Sequence, residues 1–272
     1  MVTTYLTPRV LNRATSVAGR VNAVTARDLI ATRHSGYWLV VVSGFLEPVL
    51  YLFSIGIGVG GLVGDFHLAD GTVVGYASFV APAMLAASAM NGAMAESTFN
   101  FFARLKWAKL YDSMVATPLR PFEIALGELN WALIRGSLYS IAFLILMVGL
   151  DLTSVGRAIP ALLAALLIGL AFGAAGMAIS TLMRTWQDFD YLAVVSFAMF
   201  LFSGTFAPVE SYPTVLQYVV EATPLYQGVA LLRGLTTGLG GWELIGHALY
   251  LVAMTALGLW VASRRMGKLL CK

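Results

Sequence analysis

The stretch FSGTFAPVESYPTVLQYVVEATPLYQGVALLR, residues 202–233, contains two short apolar segments that each follow or begin at a proline. As helices, residues 214–220 and 225–232 would be about 10 to 12 Å long, whereas the hydrocarbon core of a bilayer is about 30 Å thick. Pro213 and Pro224 stand where helices begin, because a first-turn residue needs no backbone donor. Such short helices between long apolar segments predict a re-entrant hairpin, which packs against protein or lines a cavity.

The composition decides the class of protein. Of the 272 residues, 59% are hydrophobic and only 11% are charged, and the mean hydropathy is +0.81. These values indicate an all-α integral membrane protein rather than a soluble domain. The one cysteine, Cys271, excludes a disulfide framework within the chain, and the three histidines show no ligand spacing. We therefore expect no cofactor and no metal on this chain.

Apolar segments separated by polar breaks predict six transmembrane helices. Their approximate bounds are residues 37–60, 73–95, 124–150, 158–183, 191–207 and 244–262. If the N-terminus is cytoplasmic, fourteen of the seventeen Lys and Arg residues lie inside, and only Arg157 and Arg233 lie outside. Because cytoplasmic loops carry such an excess of basic residues, both termini are predicted to be cytoplasmic.

The first 36 residues predict a helix on the inner membrane surface. On a helical wheel, Arg9, Arg13, Arg20 and Arg27 lie within about 40° of one another, beside an arc of small apolar residues. An amphipathic helix of this kind places its arginines among anionic lipid headgroups. The alternative is a positive tail that only sets the topology.

The longest inner loop, residues 96–123, combines bulky aromatic rings with basic side chains. Solvated loops rarely expose so many rings. A helix over residues 101–114 would present them to a partner protein, with the basic residues steering the encounter. The alternative is that the rings anchor the loop in the headgroup region. The residues concerned are Phe101, Phe102, Arg104, Lys106, Trp107, Lys109 and Tyr111.

Three charged residues lie inside predicted spans. Glu47 in the first span and Arg135 in the third both lie roughly 15 Å deep from the cytoplasmic side. Since an unpaired charge at that depth is costly, the two are predicted to pair, and Glu128 is a second candidate partner. The pair could belong to a polar translocation path or could hold two spans in register, and the sequence leaves both open.

Motifs for catalysis are missing from the sequence. No phosphate-binding loop of the form G-x-x-x-x-G-K-[ST] occurs, so the chain is not an ATPase by that route. The formal G-x-G-x-x-G at Gly56, Gly58 and Gly61 closes the first span instead of following a strand, and close helix packing explains it. An integral membrane enzyme of lipid metabolism is the alternative class, but only isolated carboxylates such as Glu96 and Glu128 are available to it.

Several motifs together resemble a known family. They are F-S-G-T-F-A-P after the fifth span, E-S-T…F-x-R-L…K-x-Y-D-S-M-V-A-T-P-L in the inner loop, and L-G-E-L-N-W-A after it. With six spans and an interfacial helix, the chain resembles type-2 ATP-binding-cassette (ABC) exporter permeases over nearly its whole length. It is most similar to the branch that contains nodulation lipo-oligosaccharide exporters and daunorubicin-type drug exporters.

The resemblance implies specific roles. Residues 101–114 would be a coupling helix in a groove of a separate ATPase subunit, which binds ATP and Mg²⁺. The turn over residues 184–190, with Arg184 and Asp188, would make a second, minor contact. Residues 213–235 would cap the path on the outer side. The outer loop 61–72 is too short for an extracellular domain.

We therefore expect one permease domain over residues 1–272, with an interfacial helix in 1–36, a coupling loop at 96–123 and an outer hairpin at 208–241. Residues that mark the hairpin are Pro208, Pro213, Pro224 and Arg233.

The expected function is that of the membrane subunit of an ABC exporter in the bacterial inner membrane. It would move an amphiphile outward, such as a glycolipid, a lipo-oligosaccharide or a hydrophobic drug. The expected partners are two ATPase subunits, a second permease copy or sister permease, and membrane lipids, but no nucleic acid.

Overall fold

The computed structural model describes residues 16–32, 46, 49–60, 65–67, 73–238 and 241–270. Nearly all of these residues are helical. The N-terminal part contains α1 (Val17–Thr32), a π-helical segment (Leu52–Val59) and an antiparallel ribbon of β1 (Asp65–His67) and β2 (Val73–Gly75). The rest contains α2 (Tyr76–Ala95), α3 (Leu110–Val115), α4 (Pro121–Gly149), α5 (Val155–Ser180), α6 (Gln187–Phe202), α7 (Thr214–Glu221), α8 (Pro224–Thr237) and α9 (Glu243–Leu270).

Four helices in the described part of the chain are long and apolar enough to cross a membrane. They are Tyr76–Trp107, Pro121–Gly149, Val155–Ser180 and Glu243–Leu270. They correspond to the predicted second, third, fourth and sixth spans. The second begins at Tyr76 instead of residue 73, because Val73–Gly75 pairs with β1 as a strand.

The other two predicted spans stay predictions. Of the first, residues 37–60, the structure describes only residue 46 and residues 49–60. The fifth corresponds to α6, which has 16 residues and is shorter than the roughly 20 residues that a span needs.

The core forms where α2, α5 and α8 meet. Phe79 and Met84 of α2, Phe172 of α5, and Leu225 and Leu232 of α8 are all buried in it. Small residues allow the backbones to come close. A Cβ atom on Gly258 of α9 would lie 2.7 Å from the carbonyl carbon of Ala174 in α5. Close contact of this kind is typical of helix pairs in membranes.

Two short helices follow α6, as the sequence predicts. Pro224 is the first residue of α8, and the Thr223 hydroxyl accepts a hydrogen bond from the Tyr226 amide at 3.4 Å. Helix α7 begins at Thr214, directly after Pro213. Helix α8 is longer than expected, but its 14 residues reach only about 21 Å, which is still too short to cross a bilayer. Their re-entrant placement stays a prediction.

Arg233 ties α8 to its neighbours. Its guanidinium carbon lies 3.8 Å from the centre of the Phe79 ring, and Nη2 donates to the Gly204 carbonyl at 2.8 Å. Gly204 has φ +70°, a conformation that favours glycine, and it forms the bend between α6 and the turn that follows Pro208. The basic side chain predicted to lie at the outer surface therefore packs against α2 and this bend.

Candidate functional site: an aromatic surface

The inner loop does not form the single helix predicted over residues 101–114. Helix α2 continues beyond Ala95 through π-helical turns at Glu96–Asn100 and Ala103–Trp107. It ends there because Lys109 has φ 45°, a left-handed conformation that a continuous right-handed helix cannot contain. The short helix α3 then begins at Leu110. We call the part from Glu96 to Val115 the docking segment.

Three of the rings predicted to meet a partner lie in the interior instead. Phe101, Phe102 and Tyr111 are buried, and the rings of Phe101 and Tyr111 lie 5.3 Å apart. Phe101 and Tyr111 pack with Leu129 of α4 and Met177 of α5 because one face of the docking segment rests on those helices. These buried rings belong to the packed interior beneath the exposed face of the docking segment.

The exposed rings form one cluster. Trp107 is 52% exposed and Trp186 is 45% exposed, and their ring centres lie 4.5 Å apart. The ring centres of Phe99 and Trp186 lie 4.7 Å apart. The rings of Phe102 and Phe189 pack behind these exposed rings. We call these five residues the aromatic cluster. It joins the docking segment to the turn over residues 184–190, so the two predicted contacts share one surface.

Sequence reasoning did not single out Trp186. Trp186 lies inside the turn over residues 184–190 that the family resemblance indicates. That turn was the feature of the sequence from which Trp186 could have been identified. Three exposed basic residues, Lys106, Lys109 and Arg184, lie within two residues of Trp107 or Trp186 in the chain.

Asp188 fixes the turn that carries Trp186. Its carboxylate accepts hydrogen bonds from the backbone amides of Arg184 at 2.6 Å and Thr185 at 3.0 Å. These bonds lower the pKa of Asp188 below its ordinary value, because they favour the ionised form. The predicted roles of Arg184 and Asp188 differ accordingly: Asp188 shapes the turn, and Arg184 lies on its surface.

A buried charge network lies next to the docking segment. It contains the carboxylates Asp28, Glu96 and Glu128 and the guanidinium groups of Arg27, Arg104 and Arg135. Arg135 pairs with Glu96 and also donates to the Tyr139 hydroxyl at 3.1 Å, whereas Glu128 pairs with Arg104.

The network differs from the expected pairing. Glu47 lies outside the described residues, so its pairing with Arg135 stays a prediction. The described partner of Arg135 is Glu96, which looks isolated in the sequence. Asp28 was missed as well. It lies beside Arg27 on a helix whose arginines suggested a lipid-facing surface.

Helix α1 packs on protein along the face that carries its described arginines. Arg20 forms a two-pronged ion pair with Glu123, with Nε and Nη2 at 2.9 and 2.6 Å from the carboxylate oxygens. The Thr25 hydroxyl donates to the Gly127 carbonyl of α4 at 3.0 Å. The expectation that these arginines reach lipid headgroups is therefore wrong for Arg20 and Arg27. Carboxylates of α4 attract them instead.

A cavity of about 280 Å³ opens between the first predicted span, α2 and α6. Its wall combines aromatic rings with uncharged polar groups: Tyr51, Ser88, Asn91, Ser196, Phe197 and Phe200. Glu128 and Arg135 do not contribute to this wall. They belong to the charge network on the other side of α2.

Comparisons with known proteins agree with the sequence motifs. The profile of the ABC-2 type transporter family matches residues 20–237. Nodulation protein J of Rhizobium leguminosarum bv. viciae is 31% identical over 81% of this chain and 84% of its own length. Nodulation protein J of Rhizobium leguminosarum bv. trifolii is 32% identical over 79% of this chain and 80% of its own length.

A third relative, nodulation protein J of Rhizobium meliloti (strain 1021), is 30% identical over 73% of this chain and 74% of its own length. The match to the family covers most of the chain, and the apolar helices suit a protein that works within a membrane. The family resemblance seen in the sequence is thus confirmed. The chain belongs to the ABC-2 type transporter family, as a transmembrane transport permease rather than an enzyme.

Proposed function

We propose that this chain is the transmembrane subunit of an ATP-driven exporter that moves an amphiphile outward across the bacterial inner membrane. A separate ATPase subunit binds ATP and Mg²⁺, and the complex contains two ATPase subunits and two permeases. The observation that carries this proposal is the contact between the half-exposed rings of Trp107 and Trp186 in a chain of the ABC-2 type transporter family. In our proposal these two rings bind the ATPase.

The aromatic cluster suits protein docking. Interfaces concentrate their binding free energy in a few buried aromatic side chains, and charged residues at the rim mainly steer the encounter. Trp107 and Trp186 are the candidate anchors, and Lys106, Lys109 and Arg184 are the candidate rim. Anchoring of these rings in lipid headgroups is the competing explanation.

The translocation path is best placed at the cavity beside α6. No residue of α6 is buried in the described part of the chain, and Tyr191, Val194 and Phe197 are largely exposed. Asn91, a polar residue of α2, is exposed on the same side. A second permease copy facing α6 would enclose the cavity between two chains. This arrangement supports a homodimer or a pair of sister permeases.

The cargo class follows from the wall of that cavity. Its rings and uncharged polar groups suit a molecule with an apolar part and a neutral polar part. Glycolipids, lipo-oligosaccharides and hydrophobic drugs meet this description, whereas ions do not. The short helices α7 and α8 would cap the path on the outer side. The chain would have six spans, with both termini in the cytoplasm.

Co-purification tests the proposal. The tagged permease, expressed together with its candidate ATPase, should be recovered with that subunit in equal amounts. The complex in lipid nanodiscs should hydrolyse ATP, and a Walker-A lysine substitution in the ATPase should abolish the activity. Recovery of the permease alone, with turnover of lipid by the isolated chain, would contradict the proposal and favour the membrane enzyme.

A further inference from the structure

The buried charge network connects three structural elements. Helix α1 contributes Arg27 and Asp28, the docking segment contributes Glu96 and Arg104, and α4 contributes Glu128 and Arg135. Three positive groups thus meet three negative groups, and all three carboxylates are buried. By formal charge the network is neutral, and the loss of any single member would leave one charge uncompensated.

Arg104 is at the centre of this network. Its guanidinium nitrogens lie 3.0 Å from a Glu96 oxygen and 3.4 Å from an Asp28 oxygen, and it pairs closely with Glu128. Among the described residues, Arg104 alone contacts all three carboxylates. The neighbouring Arg27 contacts only Asp28 and Glu128.

The position of Arg104 in the chain links this network to the docking surface. Arg104 and Trp107 belong to the same π-helical turns, Ala103–Trp107, and lie three residues apart. Trp107 is directed outward into the aromatic cluster, whereas Arg104 is directed inward to α1 and α4. A force applied at Trp107 therefore reaches the charge network through one helical turn.

The free energy of buried ion pairs indicates the role of this charge network. Apolar side chains can hold helices together as well as buried ion pairs can, so a buried network is poor evidence for stability alone. Buried ion pairs instead require a specific geometry. A charge that moves away from its partner is left unpaired where water solvates it poorly, and this costs free energy. Such a network therefore favours one relative arrangement of the three elements that it joins.

We propose that Arg104 is a positioning residue that locks the docking segment to α1 and α4, so that a movement of the docked ATPase shifts all three as one unit. This inference rests on the proposed function. It adds that the motion enters the membrane through the interfacial helix and the third span, by way of the charge network.

The test uses a cysteine reporter in the cavity wall. Ser196→Cys is introduced after Cys271→Ser has removed the chain's own cysteine. The purified complex is labelled with a maleimide, first without nucleotide and then with Mg²⁺, ATP and vanadate. In the complex with Arg104 intact, the labelling rate should change with nucleotide.

In Arg104→Gln the ATPase should be recovered normally, because the aromatic cluster is intact. The nucleotide-dependent change in labelling should fall about tenfold, as expected when a coupling free energy between two sites is lost. Arg104→Lys keeps the charge and should restore part of the response. Lys268→Gln removes an exposed charge on α9 and should leave the response unchanged.

A full labelling response in Arg104→Gln would overturn the inference. Loss of the ATPase from that variant would also overturn it, because Arg104 would then belong to the docking surface. If the permease with Arg104 intact recovers no ATPase, the proposed function itself fails. If that complex forms but shows no response to nucleotide, only the inference fails, and the two failures can thus be told apart.

A second measurement covers the case in which Arg104→Gln does not fold. Thr25 of α1 and Asn130 of α4 lie side by side, since the Asn130 amide donates to the Thr25 hydroxyl at 3.3 Å. Cysteines at both positions are joined with a short bis-methanethiosulfonate reagent. If α1 and α4 move as one unit, the labelling response survives the cross-link. Abolition of the response would show that the two helices must separate, and the inference would be wrong.

Discussion

The indole rings of Trp107 and Trp186 lie 4.5 Å apart, with an angle of 46° between their planes. One belongs to the docking segment and the other to the turn before α6. Their contact makes a single surface from two segments that lie far apart in the chain. An ATPase that binds this surface would contact both segments at once.

Trp107→Ala and Trp186→Ala should each release the ATPase subunit while leaving the permease folded. Truncation of a buried aromatic anchor typically costs about 2 kcal/mol or more of binding free energy. Because the two rings touch, the double variant should lose less than the sum of the single losses. The measurement is the amount of ATPase recovered with the tagged permease.

Phe122→Ala is the matched control for this pair. Phe122 is 45% exposed near the start of α4, and it is not part of the aromatic cluster. Its truncation should leave ATPase recovery unchanged. If Trp107→Ala behaves like this control while Trp186→Ala abolishes recovery, the turn over residues 184–190 is the principal contact and the docking segment is not.

Asp188→Asn should weaken ATPase docking severalfold, because the turn that carries Trp186 loses its charged hydrogen-bond acceptor. Asp190→Asn is the control, since Asp190 is exposed and its carboxylate accepts no hydrogen bond from the described residues. Binding of the ATPase to the permease in nanodiscs, measured by biolayer interferometry, would compare the two. Equal binding by both variants would contradict the role given to Asp188.

The same carboxylate predicts how docking depends on pH. Its pKa in the folded protein lies below the ordinary value of about 3.9. The stability that it adds is therefore present above that value and is lost only as the pH falls through the lowered pKa. This turn should contribute no change in docking between about pH 5 and 8. A midpoint in that range that disappears in Asp188→Asn would contradict this expectation.

Glu96 and Arg135 should show strong coupling in a double-mutant cycle. Each single change to alanine leaves the other charge buried without this partner, which should lower the yield of folded protein. The double change should recover part of the loss. The same cycle with Glu47 and Arg135 tests the pairing that the sequence predicts. Additive losses for Glu96 and Arg135 would show that their contact contributes nothing.

Gly258→Ala should destabilise the pair of helices α5 and α9. The added Cβ would lie 2.7 Å from backbone atoms of α5, which cannot turn away as a side chain can. Overpacking of this kind costs about 1 to 3 kcal/mol. Gly246→Ala lies on the same helix in open space, and the change there should be neutral or slightly stabilising. Thermal unfolding in detergent should separate the two variants.

Cysteine labelling should establish the topology. Ser211→Cys is predicted to react with an impermeant reagent from outside sealed cells, whereas Ser113→Cys should react only after the membrane is opened. Both serines are exposed in the folded chain, so accessibility of the side chain does not distinguish them. External labelling at Ser113 would overturn the predicted orientation.

The sequence predicts the class of fold because the composition and the length of each apolar segment can be determined from the residues of that segment alone. Four long apolar helices and the two short helices after α6 follow from hydropathy and from prolines at helix starts. The break at Lys109 does not follow, since no glycine or proline marks it and lysine rarely has a positive φ. The sequence therefore predicts one continuous helix over residues 101–114.

The candidate site was predicted less completely. The segment and the turn were identified from their rings, charges and motifs. Which rings face inward could not be predicted, because rings lie on several sides of the segment and only packing on α4 and α5 selects a face. The charge network was missed because ion pairs such as Arg104 with Asp28 join elements far apart in the chain. Sequence spacing shows only local pairs.

The charge network also bears on how the chain enters the membrane during synthesis. Glu96 and Arg104 lie in the continuation of the second span, at the end of the helix Tyr76–Trp107, where they pair with each other and largely cancel each other's charge. The third span carries Glu128 and Arg135, whose described ion-pair partners all lie on α1 and the second span. Charged residues near the middle of a span each oppose insertion by about 2.5 to 3.5 kcal/mol. The third span thus depends on the second for stable insertion, and the two should leave the translocon as a helical pair.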